Sequence, residues 1–150
     1  MYSFGCQRGL SLCTLPIKHI NIDIEWFTVK IVIVDDNRDF IDLLGNVLIE
    51  AGYDVKSFYS SRKAIDYIED KSNHFDMIVT DILMPEHDGF DVVDAARKVS
   101  DAKIIAMSGG GTFVSAEKSI EALEQTVDAW LVKPVRMSEL LLIVEKLLSN

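Results

Sequence analysis

Four uninterrupted apolar runs punctuate the chain, and each gives way to a polar group. They are Lys30-Ile31-Val32-Ile33-Val34 before Asp35-Asp36, Met77-Ile78-Val79-Thr80 before Asp81, Lys103-Ile104-Ile105-Ala106-Met107 before Ser108, and Ala129-Trp130-Leu131-Val132 before Lys133-Pro134. A short run without alternation fits a strand buried on both faces of a parallel sheet. Strands are expected at about residues 29–34 (β1), 54–58 (β2), 76–80 (β3), 103–107 (β4) and 128–132 (β5). Between them apolar residues return at helical spacing. Helix α1, about 38–51, carries Phe40, Leu44, Val47 and Leu48 on one stripe and stops at Gly52. Helix α2, about 61–71, carries Ala64, Ile65 and Ile68 and takes Ser60 as its cap. Helix α3, about 89–99, shows Phe90, Val93 and Ala96; α4, about 113–125, is thinner, with Val114, Ile120 and Leu123. Helix α5, about 137–148, carries Leu140, Leu141, Ile143, Val144, Leu147 and Leu148, with Ser138 or a neighbour as cap. Strands alternating with helices imply βαβ units with right-handed crossovers, and so a five-stranded parallel sheet with helices on both faces, in the order 2-1-3-4-5.

Residues 1–28 stand outside that pattern. Ile20-Asn21-Ile22-Asp23-Ile24-Glu25-Trp26 alternates as an edge strand would. The segment is read as an N-terminal extension, a flexible tail or a start upstream of the true one, with an added strand or interaction arm as the other reading. Residues 29–150 form the domain.

With 150 residues, 49% of them hydrophobic, there is material for one domain with a substantial core. No run approaches the roughly 18 apolar residues of a membrane span. The net charge of −9 argues against a nucleic-acid surface, which needs clustered Lys and Arg. Arg8 and Lys18 balance Asp23 and Glu25 in the first 28 residues, so the acidic excess belongs to the domain. Cys6 and Cys13 lie outside the domain and are read as cytosolic thiols. Leu12 is too large to precede a lipoprotein cleavage cysteine. His19, His74 and His87 are scattered without metal-ligand spacing and are read as surface residues.

In an open α/β sheet, ligands bind outside the carboxyl ends of the strands. Asp35, Asp36, Asp81, Ser108 and Lys133 would therefore meet at one edge. Each has an ordinary reading when taken alone. An acidic pair suits a helix N-terminus, a serine suits a turn, and a lysine suits solvent. Their order and common placement at strand ends make the set specific. Gly109-Gly110-Gly111 lacks a following Gly-Lys-Ser/Thr and so is a flexible loop rather than a nucleotide-binding P-loop.

From Val29 to Asn150 the chain resembles the receiver domain of two-component response regulators, a flavodoxin-like (βα)5 fold. The resemblance places the acidic pair on Asp35 and Asp36, the phosphoacceptor on Asp81, the hydroxyl residue on Ser108, the lysine on Lys133 and the cis-prolyl position on Pro134. It implies a Mg²⁺ ion ligated by Asp36, Asp81 and the backbone carbonyl of Leu83, with Asp35 acting through water. Trp130 takes the aromatic switch position, where tyrosine, phenylalanine or histidine is more frequent, and acts with Ser108. Leu83 and Gly110 take the two positions that tune phosphoryl lifetime. His87 replaces a usual apolar residue, and the stretch from Ser108 to Lys133 is a few residues longer than usual. The implied phosphodonor is a sensor histidine kinase or a histidine phosphotransfer protein. The downstream protein partner is unspecified, and a homodimer through the α4–β5–α5 face is among the expectations.

Transfer to a carboxylate brings an anionic donor to an anionic acceptor. Like charges at about 4 Å repel by roughly 4 kcal/mol at an effective dielectric near 20. A hard divalent cation with oxygen ligands resolves the conflict, while Lys133 and Ser108 can meet phosphoryl oxygens. The expectation is a cytoplasmic, stand-alone signalling receiver rather than an enzyme, although it would assist its own phosphorylation and dephosphorylation. Two competing classes are a phosphorylation-independent pseudo-receiver and an aspartate-based phosphatase of the haloacid dehalogenase type. The complete five-residue set speaks against the first. The second wants an acidic residue two positions after Asp81, where this chain has Leu83.

Overall fold

The computed structural model describes residues 28–84, 89–109 and 126–149. Strands β1 (Lys30–Val34), β2 (Asp54–Phe58), β3 (Met77–Asp81), β4 (Lys103–Gly109) and β5 (Ala129–Lys133) form a five-stranded sheet in the order β2-β1-β3-β4-β5. Every pairing is parallel. Helices α1 (Arg38–Glu50), α2 (Ser61–Glu69), α3 (Gly89–Val99) and α5 (Met137–Leu148) lie between and after them. The expected α4 falls outside the described residues, as do His87, Gly110, Cys6, Cys13, His19 and the alternating stretch 20–26.

The apolar runs became strands because both sheet faces are covered. Ile31 and Ile33 of β1, with Met77, Val79, Ile105 and Met107, face a layer built with Ile41, Leu44, Leu48, Leu140 and Val144 of α1 and α5. Val32 and Val34, with Ile78, Ile104 and Ala106, face Ala64 and Ile68 of α2 and Val92, Val93 and Ala96 of α3. The strand period of two thus sends neighbouring residues into opposite cores. Among the described residues edge strand β2 has one strand neighbour, and it carries Asp54, Lys56 and Ser57.

The boundaries move by one or two residues from the sequence expectation at several ends, and the capping assignments change more. Asn37 caps α1, its side chain accepting from the Phe40 N–H. The stripe α1 buries is Ile41, Leu44, Gly45 and Leu48; Phe40 and Val47 are only half-buried. Helix α1 ends at Glu50 with Ala51 as cap, and Gly52 adopts φ +95°, a left-handed backbone that favours glycine. Ser60 occupies the N-cap position of α2 but makes no side-chain cap bond there. Ser138 lies inside α5, whose N-cap position is Arg136. The Glu139 and Leu140 N–H groups both donate to the Arg136 carbonyl.

A polar clasp closes the end of the sheet remote from the strand carboxyl ends. Arg97 of α3 donates to the carbonyls of Thr126 (2.8 Å) and Ala102 (2.6 Å) and to Asp128 Oδ2 (2.7 Å). The same carboxylate accepts the Ile104 N–H. Burial alone would raise the Asp128 carboxyl, but the Ile104 N–H, Arg97 and Lys103 hold it below the usual carboxylate range. The clasp fastens the start of β5 to α3 and β4, and so fixes the strand that ends in Lys133.

Gly89 marks the tightest backbone approach near the other end. Its N–H donates to the Ile82 carbonyl, and an added Cβ would overlap the Asp81 carbonyl oxygen and lie 2.7 Å from Ile82 Cα. Backbone cannot swing aside as a flexible side chain can. Gly89→Ala is therefore expected to destabilise the protein by about 1–3 kcal/mol, as overpacking does, read as a lower midpoint in urea titration. An unchanged midpoint would show that α3 can retreat.

Candidate functional site

The carboxyl ends of β1, β3 and β5 bring together Asp35, Asp36, Asp81 and Lys133, while Ser108 lies near the carboxyl end of β4. Asp35 follows β1 directly and is fully buried. Its backbone N–H donates to the Phe58 carbonyl at 3.2 Å, which ties it to the end of β2. Its Oδ1 accepts the Asn37 N–H at 2.8 Å, and Asn37 Oδ1 in turn accepts the Phe40 N–H at 3.1 Å. Asp35 and the first turn of α1 are thus braced by one short hydrogen-bonded segment.

Asp81 is the last residue of β3 and pairs with Met107 of β4. The Ile82 N–H donates to the Met107 carbonyl, continuing the ladder past it. Its side chain is buried, with Oδ1 accepting from the Leu83 N–H at 3.3 Å. Asp36 is exposed. One carboxylate oxygen from each of Asp35, Asp36 and Asp81 lies within 4.8 Å of the others, an arrangement that could hold a metal ion.

Lys133 comes from the far edge strand. It pairs with Gly109 in register, one step beyond the Ser108–Val132 pair. Its Nζ donates to Asp35 Oδ2 at 2.7 Å and to Asp81 Oδ2 at 2.9 Å, and lies 5.0 Å from the Phe40 ring centroid. The following peptide bond, Lys133–Pro134, is cis. Ser108 is buried within β4, which runs one residue past it.

Burial raises the Asp35 carboxyl above its ordinary value of 3.8; the bonds from Lys133 and the Asn37 N–H oppose the rise without cancelling it, and the Asp81 charge adds to it. Burial would lower Lys133, but its bonds to Asp35 and Asp81 prevail and hold the ammonium above 10.5. Lys133 is accordingly a fixed positive charge at neutral pH. In ionised form, three carboxylates against one ammonium leave a negative excess that suits a divalent cation. The donor set is all oxygen, two of the side chains are buried, and the exposed Asp36 opens toward solvent. These residues fit a hard cation that keeps waters.

Trp130 sits opposite Ala106 in the register, half-buried against the core that holds Met84 and Phe90. Its indole Nε1 is buried with no hydrogen-bond partner among the described residues. A buried orphan donor is uncommon. Leu83 projects beside Asp81 and is 56% exposed, presenting hydrocarbon at the rim. Three further elements of the surroundings went unassigned in the sequence: the Asn37 cap, the Phe40 ring over Lys133, and a rim knot. In that knot Tyr59 Oη donates to Asp42 Oδ1 at 2.7 Å, and Arg38 lies 5.2 Å from the Tyr59 ring centroid. An aromatic residue one turn into the helix after the acidic pair was the available signal for the second. His74 is exposed and pairs with Asp76 away from the site. None of the described helices is long and apolar enough to cross a membrane.

Residues 31–145 match the family model described as the response regulator receiver domain. The two-component response regulator ARR18 of Arabidopsis thaliana is 32% identical over 111 residues, which span 74% of this chain and 17% of that protein. The two-component response regulator ORR26 of Oryza sativa subsp. japonica is 28% identical over 76% of this chain and 19% of its own length. The chain thus spans about a fifth of the length of these relatives. Among solved structures, a CheY-like receiver domain protein from Methanospirillum hungatei JF-1 superposes with a TM-score of 0.71 at 28% identity, covering 81% of this chain and 94% of that one. A response regulator receiver protein from Sinorhizobium medicae WSM419 gives 0.70 at 28% identity, covering 82% and 96%.

The raised Asp35 carboxyl gives a signed prediction. Because its folded value lies above 3.8, its contribution to stability is complete below pH 3.8 and is lost as pH rises through the folded value. In its ionised, metal-free form the buried carboxylate is a burden. Asp35→Asn keeps an oxygen for the Asn37 N–H and removes the charge. Thermal melts in chelator should show the variant higher by about 2–4 °C at neutral pH, the shift expected for about 1 kcal/mol, with the gap closing as pH falls toward the ordinary carboxylate range. A variant less stable at neutral pH would mean that Lys133 gains more from Asp35 than burial costs.

Proposed function

The chain belongs to the response regulator receiver domain family, and from that premise we propose that Asp81 accepts a phosphoryl group from a phosphohistidine of a sensor histidine kinase or histidine phosphotransfer protein. The observation that carries this reading is the Lys133 ammonium held between Asp35 and Asp81. A structural ion pair needs one carboxylate; here a single cation serves two from different strands, beside a third that is exposed. In the proposed step an Asp81 carboxylate oxygen forms a bond to phosphorus as the phosphorus–nitrogen bond of phosphohistidine breaks. The electron pair leaves with the imidazole, which regains a proton from solvent. Asp36, Asp81 and the Leu83 carbonyl would hold Mg²⁺, with Asp35 acting through water. The ion supplies the positive charge that lets anionic donor and acceptor meet. Lys133 meets one phosphoryl oxygen and the Ser108 hydroxyl donates to another. The work of the protein is position and electrostatics.

Signalling would follow from a shift between two conformations of the same chain. Ser108 moving toward the phosphoryl oxygens vacates space behind it, and Trp130, whose indole N–H has no hydrogen-bond partner among the described residues, has a hydrogen bond to gain by moving. Val132 of β5 and Leu142 of α5, 65% and 67% exposed, are apolar surface that a downstream protein or a second copy would cover. The setting that fits such signalling is the cytoplasm.

With Mg²⁺ and acetyl phosphate, the protein should gain one acid-stable, base-labile phosphoryl group, measured by intact mass. Asp81→Asn should abolish the gain while leaving the circular dichroism spectrum unchanged, and Asp36→Ala should slow it at fixed Mg²⁺. Full labelling of Asp81→Asn at the same rate would overturn the assignment.

Leu83 bears on how long the phosphoryl group lasts. Its exposed hydrocarbon cannot aim a water at phosphorus. Leu83→Asn, which adds a hydrogen-bonding amide, should shorten the half-life of the aspartyl phosphate by about threefold or more, comparable to one hydrogen bond of roughly 1 kcal/mol. An equal or longer half-life would show that water is controlled from another position.

A further inference from the structure

Lys133 is held on two sides by carboxylates and faces an aromatic ring on another. Its Nζ lies 2.7 Å from Asp35, 2.9 Å from Asp81 and 5.0 Å from the Phe40 ring centroid, within cation–π range. Only 24% of the lysine side chain remains exposed. The ring's place is determined from two directions. Phe40 packs against the core layer of Ile41 and Leu44, and its N–H is bonded to Asn37 Oδ1. Asn37 is bonded in turn to Asp35 Oδ1, so residues 35–40 present a carboxylate and a ring to the same ammonium.

These two kinds of partner behave differently during phosphoryl transfer. A carboxylate hydrogen bond is directional and charged, and the bond to Asp81 must be exchanged when that carboxylate becomes an acyl phosphate. The ring's negative face attracts a cation without occupying a particular N–H direction. It carries no charge to titrate and no oxygen to compete for a metal ion. It also takes the place of water that would otherwise solvate the ammonium.

We propose that Phe40 is a positioning residue for Lys133. The ring holds the ammonium in the cleft while its hydrogen bonds pass from the carboxylates to the incoming phosphoryl oxygens, and the rate of phosphorylation depends on it. This proposal rests on the phosphoacceptor reading of Asp81.

The test is a double-mutant cycle on the full chain, with acetyl phosphate at saturating Mg²⁺. Phe40→Leu keeps apolar bulk and loses the ring; it should slow labelling by about fivefold, and Phe40→Tyr should restore the rate to within about twofold. In a Lys133→Ala background, Phe40→Leu should have no further effect. In the unphosphorylated protein, the Lys133 ε-methylene protons should show an upfield ring-current shift in the NMR spectrum that Phe40→Leu removes. Equal rates for wild type and Phe40→Leu would overturn the proposal, as would the same fivefold loss in the Lys133→Ala background, which would make Phe40 a core residue only. A wild-type chain that takes up no phosphoryl group would overturn the reading of Asp81 and the rate dependence with it. That result is distinguishable from failure of Phe40 alone, in which wild type labels and the leucine variant labels equally well.

Discussion

One ammonium bridging two buried carboxylates is the interaction on which this arrangement turns. Asp35 and Asp81 end neighbouring strands, and without a cation between them their charges would oppose each other in a region from which water is largely removed. Two like charges about 4 Å apart repel by roughly 4 kcal/mol at an effective dielectric near 20. Lys133 relieves this, but only because it arrives from β5, two strands away from β3. The bridge is therefore a statement about strand order: a sheet closed in any other sequence would not deliver that lysine. The residual cost shows in the titration directions. The ammonium is stabilised by the pair, while Asp35 remains harder to ionise than a carboxylate in water.

The rest of the fold can be understood as keeping β5 in place for that contact. Its start is fastened by Arg97 and Asp128 and its middle by Leu131 in the core below α1 and α5. Among the described residues no strand pairs with its other edge, and Val132 is exposed. The strand is thus fastened at its start, with Lys133 at its other end. Strands β1, β3 and β4 are enclosed in close-packed apolar layers that resist small displacements. The rigid part carries the acidic residues, and the edge strand carries the cation.

Much of this was legible because it is local in sequence. Apolar runs that end in Asp81, Ser108 or Lys133 announce both the strand and the residue at its carboxyl end, and alternation with helices limits the strand order to few choices. The phase of α1 was less legible. Phe40 and Val47 were read with the core stripe, whereas the helix turns Ile41 and Gly45 toward the sheet, with Gly45 lying close to Ser57 and Val55 of β2. A hydrophobic stripe wider than the buried face does not reveal which flank overlooks the site, and Phe40 lies on that flank. The start of α5 was misread for a different reason. A serine near a helix start is a local cue, but the Leu140 N–H bonds to the Arg136 carbonyl, which places the cap two residues before Ser138. The Arg97 clasp was invisible because it joins residues about thirty apart, and a basic residue in the last turn of a helix needs no such partner to be favourable.

The electrostatics also bear on why the site does not collapse into a settled ion-pair network. A buried pair satisfied on every side would be inert, since exchanging a partner would leave a charge uncompensated at a cost of several kcal/mol. Here the balance is incomplete by design of the residues present. Lys133 bonds two of the three carboxylates, Asp36 faces solvent, and burial raises the Asp35 carboxyl. Each of these features is relieved by added positive charge, and none by further negative charge alone. Negative charge added beside Asp81 would deepen that imbalance, and a cation beside the three carboxylates would offset it.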